Sequence, residues 1–374
     1  RPYEYVTEHL LLNRTSHACS YVLLSESGSA LLIDYGYDMH VGSPAGSDRA
    51  SRRPWLYTLP RLKEQFGVER IEVALLTHYH DDHVAGLNLL RRVEGTEVWA
   101  ADTFAAVLAQ PERFDLPCLW YEPVGIDRTL PLESEVRWRE YTFTLHHQPG
   151  HTRYAVAISF EVDGRKVLAV GDQFEGGYQA RWNYVYNNGF TPDDYLATAE
   201  LLQREKPDLL LAGHYRPHDV DAAFAEAVAG NARLLRDLHN DLLPVEELDF
   251  AGGDRAVTLD PYRAQVEAGG RITVTANVRN PSPREEAVTV TLVTPVDWRV
   301  DPDRQVARLG AGESRALEFT VVPTGQAVRR ARRAADMPVG EVRLGQQAEA
   351  LVSVGASKEQ NIAWSDEKRR AGDR

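Results

Sequence analysis

The hydrophobic pattern of this chain has two textures, and they change near residue 250. Before that point, short apolar runs alternate with stretches of helical period. The runs Leu10-Leu11-Leu12, Tyr21-Val22-Leu23-Leu24 and Ala30-Leu31-Leu32-Ile33 are separated by polar turns such as Ser25-Glu26-Ser27-Gly28-Ser29, which predicts buried strands. A loop rich in Gly, Ser, Pro and Asp follows from Tyr37 to Pro54. Trp55, Leu59, Leu62 and Phe66 then share one face of a helix predicted over 54–66. Ile71-Glu72-Val73-Ala74-Leu75-Leu76 predicts the next buried strand. Val84 to Arg92 predicts a helix with Leu87, Leu90 and Val93 facing inward. Val98-Trp99-Ala100 predicts a strand, and Asp102 the N-cap of a helix reaching Ala109.

Strands dominate again up to Val170, with Tyr154 to Phe160 and Lys166 to Val170 flanking the turn at Asp163-Gly164. Thr191-Pro192-Asp193-Asp194 opens a helix to about Glu205, with a proline and acids where a helix start favours them. Leu209-Leu210-Leu211 is a strand, and a last helix is expected over about 219–241. This predicts two β-sheets packed together with helices outside. Past Leu248 the period is two throughout, rich in Thr and Val, as in Ile272 to Val278 and Val288 to Val293, with turns such as Ala268-Gly269-Gly270 between. That texture predicts an immunoglobulin-like β-sandwich. The expected organisation is a catalytic domain over 1–248, an all-β sandwich over 254–356 and a charged, disordered tail over 357–374. The run Arg329-Arg330-Ala331-Arg332-Arg333 reads as a solvated strand face.

One stretch carries concentrated chemistry. Thr77-His78-Tyr79-His80-Asp81-Asp82-His83 places three imidazoles and two carboxylates directly after a predicted buried strand. Strand C-terminal ends are where α/β folds place their chemistry, and imidazole with carboxylate suits zinc, iron or manganese. A single loop cannot close such a site. Three further candidates each follow or end an apolar run: His151 in Pro149-Gly150-His151-Thr152, Asp172 in Val170-Gly171-Asp172 and His214 in Ala212-Gly213-His214-Tyr215. Four loops converging at one sheet edge can close it.

Together these motifs resemble the metallo-β-lactamase superfamily, over roughly residues 4 to 245 and in that family's order. The resemblance implies an α+β fold, an αββα metallo-β-lactamase sandwich, followed here by the all-β immunoglobulin-like sandwich. It implies that His78, His80 and His151 bind a first metal, that Asp82, His83 and His214 bind a second, and that Asp172 bridges them. Asp82 and Asp172 are then the catalytic carboxylates. Aspartate in place of cysteine at 172 departs from the cysteine-containing true β-lactamases and lies nearer the glyoxalase II, lactonase and phosphodiesterase branches. The implied cofactor is two Zn2+, with Fe or Mn also compatible. The implied activity is a dinuclear zinc hydrolase using a metal-bridging hydroxide on an ester, thioester, lactone or related acyl bond of a small molecule. The alternatives are an iron-dependent sulfur dioxygenase-like oxidoreductase or a phosphodiesterase. Asp34 in Asp34-Tyr35-Gly36 resembles the family's early Asp-x-Gly element, either orienting the metal loop or capping a strand end.

Composition narrows this further. At 374 residues the chain exceeds what one hydrophobic core usually spans. The net charge of −13 divides into −15 over residues 1–253 and +2 beyond. An acidic catalytic part argues against a nucleic-acid partner. No apolar run approaches the roughly 18 residues of a membrane span, so a soluble bacterial-type protein is expected, cytoplasmic or secreted, with oligomerisation through either domain left open. Cys19 and Cys118 show no metal-binding spacing and read as small buried hydrophobes.

Specificity must come from loops. The segment Gln173 to Phe190, directly after Asp172, is dense in aromatics, with Arg181 its only cation. Arg181, Trp182, Tyr184 and Tyr186, with Tyr215 after the last ligand motif, are the expected substrate-binding residues, set against the reading in which these rings pack the loop onto the domain. Arg216 and His218 are further candidates for contact with a leaving group, and Asp81 for supporting the metal loop. His146 and His147 read as structural.

Overall fold

Seven strands pair side by side in chain order: β1 (Tyr3–Tyr5), β2 (Leu10–Asn13), β3 (Ser20–Leu24), β4 (Ser29–Ile33), β5 (Arg70–Leu75), β6 (Glu97–Ala101) and β7 (Arg128–Leu130). The computed structural model describes residues 2–13, 15–37, 55–114, 116–175, 181–182, 191, 193–242, 257–262, 264, 266, 269–294, 298–323 and 349–354. Short turns make β1 to β4 antiparallel, whereas β4 to β7 run parallel. Parallel pairing needs crossover connections, and helices supply them. Helix α1 (Trp55–Phe66) lies between β4 and β5. Helices α2 (Asp81–Val84) and α3 (Leu87–Glu94) lie between β5 and β6, and α4 (Asp102–Ala109) follows β6. Because β4 and β5 are parallel, Asp34 and Thr77 leave the sheet at the same edge, and the Asp34 amide donates to Leu75 O at 3.0 Å.

The second sheet takes β8 (Glu135–Trp138), β9 (Tyr141–His147), β10 (Val156–Val162) and β11 (Arg165–Gly171) as an antiparallel meander. A two-stranded ribbon of β12 (Phe174–Glu175) and β13 (Arg181–Trp182) follows. After helix α5 (Asp194–Glu205), β14 (Leu209–Ala212) returns parallel to β11 with Gly171 opposite Ala212, and β15 (His218–Asp219) closes the edge before helix α6 (Ala222–Leu242). Strands β9, β11 and β14 thus point the same way, and the segments leaving all three emerge at one end. Helices α3 and α4 pack on the first sheet. Tyr195, Leu202, Phe224 and Val228 of α5 and α6 share a buried apolar cluster with Ala157, Leu168 and Leu210 of the second. The sheets are tied to each other by Val156 N–H donating to Thr77 O at 2.9 Å and Tyr21 Oη donating to Ala212 O at 2.7 Å.

Local expectations need four corrections. The helix expected over Val84 to Arg92 is broken at Ala85-Gly86, where the Gly86 amide donates to Tyr35 O at 3.1 Å. Leu87 and Leu90 are buried, but Val93 is 51% exposed, because the restarted helix turns it away from the sheet. Asp102 is the first helical residue and Ala101 the N-cap, since β6 runs directly into α4. Neither cysteine is a fully buried hydrophobe: Cys19 is half-buried, and Cys118 is exposed on a left-handed turn at φ 56°.

Internal contacts divide the chain into one unit of Arg1–Pro111 with Leu116–Pro244 and another of Glu112–Asp115 with Val245–Arg374. In the second unit the described strands form two sheets. One orders β16 (Val257–Asp260), β17 (Ile272–Arg279), β21 (Ser314–Val322) and β19 (Arg299–Asp301). The other orders β20 (Arg304–Leu309), β18 (Glu286–Val293) and β22 (Glu349–Val354). Val274, Ala276 and Val278 alternate into a core with Val288, Val290, Trp298 and Phe319, as the period-two pattern requires. The basic run 329–333 and the tail 357–374 lie outside the described residues. Among the described residues, no helix is long and apolar enough to cross a membrane.

Candidate functional site

The end at which β5, β9, β11 and β14 finish gathers the histidines and aspartates singled out from the sequence. The loop leaving β5 delivers His78 and His80, α2 delivers Asp82 and His83, the turn after β9 delivers His151, β11 leads into Asp172, and β14 leads into His214. Two sets of potential donor atoms result. His78, His80, His151 and Asp172 form one, and Asp82, His83, Asp172 and His214 form the other, each with its donor atoms within 4.8 Å of one another. Asp172 belongs to both. Its Oδ2 lies 3.4 Å from His151 Nε2, 3.9 Å from His78 Nε2 and 3.0 Å from His214 Nε2, while its Oδ1 lies 3.0 Å from His83 Nε2.

Backbone shape makes this crowding feasible. A Cβ at Gly213 would sit 1.8 Å from Asp172 Oδ1, and one at Gly36 1.5 Å from Asp82 O, so only glycine allows these loops to meet. Beneath the donor sets, Asp34 accepts from the Thr77 amide at 2.9 Å, from Thr77 Oγ1 at 2.7 Å and from His83 Nδ1 at 2.8 Å. The His151 turn is held by Gln173. Its Oε1 accepts from the His151 amide at 3.1 Å, and its Nε2 donates to Pro149 O at 2.9 Å and to Thr198 Oγ1 at 2.8 Å.

The donor chemistry fits divalent cations. His78 Nε2 and His80 Nε2 are buried without a hydrogen-bond partner, and His83 Nε2 faces only Asp172 Oδ1 at 3.0 Å. A buried unsatisfied polar atom costs about 1–3 kcal/mol, so these two imidazole nitrogens, in one donor set with Asp172, call for an ion to engage them. Electrostatics agree. Burial, reinforced by His83 and His80, holds His78 well below its ordinary range. Burial and the His151 ring hold His80 down at about 3. Both therefore offer lone pairs at neutral pH. On the other side, burial pushes His83 down, but Asp172, Asp34 and Asp82 outweigh it and raise the ring well above its usual value. Burial is likewise outweighed at His214, where hydrogen bonds to Asp172 and Asp82 raise it to about 10. Burial pushes both carboxylates up, yet His83 and His214 prevail, bringing Asp82 to about 2 and Asp172 well below 3.8. The carboxylates demand positive charge here, and bound cations would supply it in place of protons.

The remaining expectations divide. Trp182 rings lie 5.0 Å from Phe174 and 4.3 Å from Tyr195, placing the indole against the apolar cluster under the second sheet, which Tyr215 also packs against. Arg181 is exposed, and Tyr184 and Tyr186 lie outside the described residues. Arg216 pairs with Glu4 at 2.8 and 3.0 Å, and His218 packs edge-on to Phe224. Asp81 is raised to about 6 by burial and the neighbouring Asp82, and its amide donates to Cys118 O at 2.9 Å. His146 bonds to Glu133 and Ser159, and His147 to Arg153 O, all structural roles. Sequence reading missed Thr77 and Gln173 as supports and His17 at the mouth of the site. Gln173 had one signal, its place directly after Asp172. A lone histidine in a turn had none.

The sequence profile described as the metallo-beta-lactamase superfamily matches residues 14–214. The hydroxyacylglutathione hydrolase GloC of Haemophilus influenzae is 30% identical over 151 residues, covering 38% of this chain and 68% of that protein. Among solved structures, a metallo-beta-lactamase from Pontibacter korlensis is similar at 16% identity with a TM-score of 0.47, covering 62% of this chain and 98% of its own. The FEZ-1 metallo-beta-lactamase from Legionella gormanii is similar at 16% identity with a TM-score of 0.48, covering 64% and 96%.

Proposed function

This chain belongs to the metallo-beta-lactamase superfamily and is a metal-dependent hydrolase, and from that premise we propose that it cleaves an ester, thioester, lactone or related acyl bond in a small molecule with two zinc ions. The observation that carries the number is the sharing of Asp172 by two donor sets. His78, His80 and His151 would hold one cation, and Asp82, His83 and His214 the other, with Asp172 between. Bound together, such cations supply a water-derived nucleophile at neutral pH and polarise a carbonyl.

The protein's own contribution is placement. Asp34, by accepting from His83 Nδ1, leaves Nε2 of that ring to face the site. Gln173 holds the His151 turn, and Gly213 lets the last loop close on Asp172. Asp172 is 5% exposed and belongs to both donor sets, so its carboxylate lies where both cations would be held. The acyl specificity is supported by the relative in Haemophilus influenzae, a hydroxyacylglutathione hydrolase. The net charge of −15 over residues 1–253 supports a small substrate over a nucleic acid.

Metal analysis of the purified chain combined with an ester, thioester and lactone panel tests this reading. About two zinc per chain and turnover lost on chelation and restored by zinc are expected. One iron per chain with oxygen consumption, or full turnover after chelation, overturns it.

A further inference from the structure

The donor sets differ in their access to solvent. His78, His80 and His151 are 1–3% exposed, whereas the His214 side chain is 29% exposed. The site therefore opens on the side of Asp82 and His214. His17 stands there. Its Nε2 lies 4.0 Å from Asp82 Oδ2, too far for a hydrogen bond, and its ring meets that of His214 edge-on at 5.6 Å.

The placement of His17 is enforced by the backbone around it. The His17 amide donates to Tyr37 O at 2.8 Å, and the two rings stack at 5.4 Å with 23° between their planes. On one side, Thr15 is tied to Asn13 Oδ1 through its amide at 3.0 Å and its hydroxyl at 2.9 Å. On the other, the Cys19 amide donates to Gly213 O, one residue before His214, and Cys19 Sγ bonds to Tyr215 O at 3.5 Å. Ser16 and Ala18 are buried, so the turn displays one side chain outward, an imidazole 44% exposed. Among the described residues the ring itself makes no hydrogen bond.

We propose that His17 is a substrate-contacting residue that donates a ring N–H hydrogen bond to the departing heteroatom of an acyl substrate. This role rests on the acyl-hydrolase reading above. The departing fragment must leave through the open side, and its oxygen or sulfur gains negative charge as the acyl bond breaks. A fixed N–H donor on that side strengthens its hold as the charge develops, which lowers the barrier. The step balances as acyl transfer to water: the water-derived oxygen bonds to the acyl carbon, the acyl–heteroatom bond breaks with its electron pair going to the leaving group, and that group takes its proton from solvent as it departs, while the ring keeps its own. Such a contact matters most when the leaving group is poor, because more charge then has to be stabilised.

The test is a series of aryl acetates spanning leaving groups from 4-nitrophenol to phenol, with an alkyl ester at the far end, hydrolysed by the zinc-loaded full chain. His17→Phe keeps a ring to stack on Tyr37 and removes the donor, whereas His17→Gln keeps an N–H donor. For His17→Phe, kcat/KM should fall about 10-fold or more for the poorest leaving groups and about 2-fold or less for 4-nitrophenyl acetate, steepening the dependence on leaving-group pKa. His17→Gln should recover part of the loss, and zinc content should stay at the wild-type value in both. A uniform loss across the series, no loss, or loss of zinc overturns the role of His17 while leaving the hydrolase reading intact. A zinc-loaded wild type inactive on every acyl substrate overturns both.

Discussion

Asp34 Oδ2 accepts a hydrogen bond from His83 Nδ1 at 2.8 Å, across 49 positions of sequence. Both side chains are buried, and the same carboxylate also takes the amide and hydroxyl of Thr77. One carboxylate therefore sets the orientation of a ring in one donor set and the backbone leading into His78 of the other. Asp34 itself sits at φ 58°, where the chain turns sharply off β4 to bring the carboxylate under the metal loop.

Asp34→Asn places an amide donor where His83 Nδ1 needs an acceptor. The ring then has to turn or to carry its proton on Nε2, which removes it as a donor to a cation. Zinc affinity should fall about 10–100-fold, read by competition against a chromophoric chelator. Wild-type affinity in this variant would remove Asp34 from the account.

Gly213→Ala should be far more damaging than its size suggests, because the new methyl would overlap Asp172 Oδ1 and approach His83 Cε1 to 2.9 Å. Loss of at least one zinc per chain and a fall in turnover of roughly 10²-fold are expected, on the scale of losing one oriented electrostatic contact. Gly230→Ala is the control. It lies in α6 with nothing within 4 Å of the added methyl, and should keep full zinc and gain up to about 1 kcal/mol of stability. Full zinc and activity in Gly213→Ala would mean that the last loop tolerates displacement.

Zinc binding should release protons. In the metal-free protein, burial opposes the charge on His83 and His214, but the carboxylates outweigh it, raising His83 well above its ordinary value and His214 to about 10. Both rings are thus protonated at pH 7 and must lose those protons to bind a cation. Roughly two protons per chain should appear when metal-free protein is titrated with zinc, measured calorimetrically in buffers of different ionisation enthalpy. Affinity should strengthen as pH rises and weaken as it falls. With its folded value raised, His214 contributes stability to the metal-free fold that is fully present below pH 6.5 and lost as pH rises through about 10. Zinc binding without proton release would contradict this charge assignment.

We propose that the catalytic part is an autonomous domain. None of the donor residues lies beyond His214, and the core of the second unit is a separate cluster built from Val274, Val290 and Phe319. A chain ending near Asp249 should bind zinc with the affinity of the full protein, though with lower solubility. A truncated protein with a native circular-dichroism spectrum and no zinc would refute the boundary.

The amino-acid sequence by itself determined the strands, most helices and the donor motifs, because these depend on local pattern. The seven residues from Thr77 to His83 need no tertiary information to show their chemistry, and each further donor announces itself at the end of an apolar run. Period two in Ile272 to Val278 likewise dictates which side chains face a core before any partner is known. What lies between elements was decided only in three dimensions. Val93 fits the helical period but faces solvent, because close packing of Gly86 on Tyr35 breaks the helix and restarts it on a new face. Trp182 lies in an aromatic stretch that suits a pocket wall, yet its surroundings are set by Phe174 and Tyr195, the latter thirteen positions away. His17 carries no local signal. Its position beside Asp82 comes from its own hydrogen bond to Tyr37, which the antiparallel pairing of β3 with β4 sets beside it, and from that of nearby Cys19 to Gly213, which only the parallel return of β14 against β11 brings within reach.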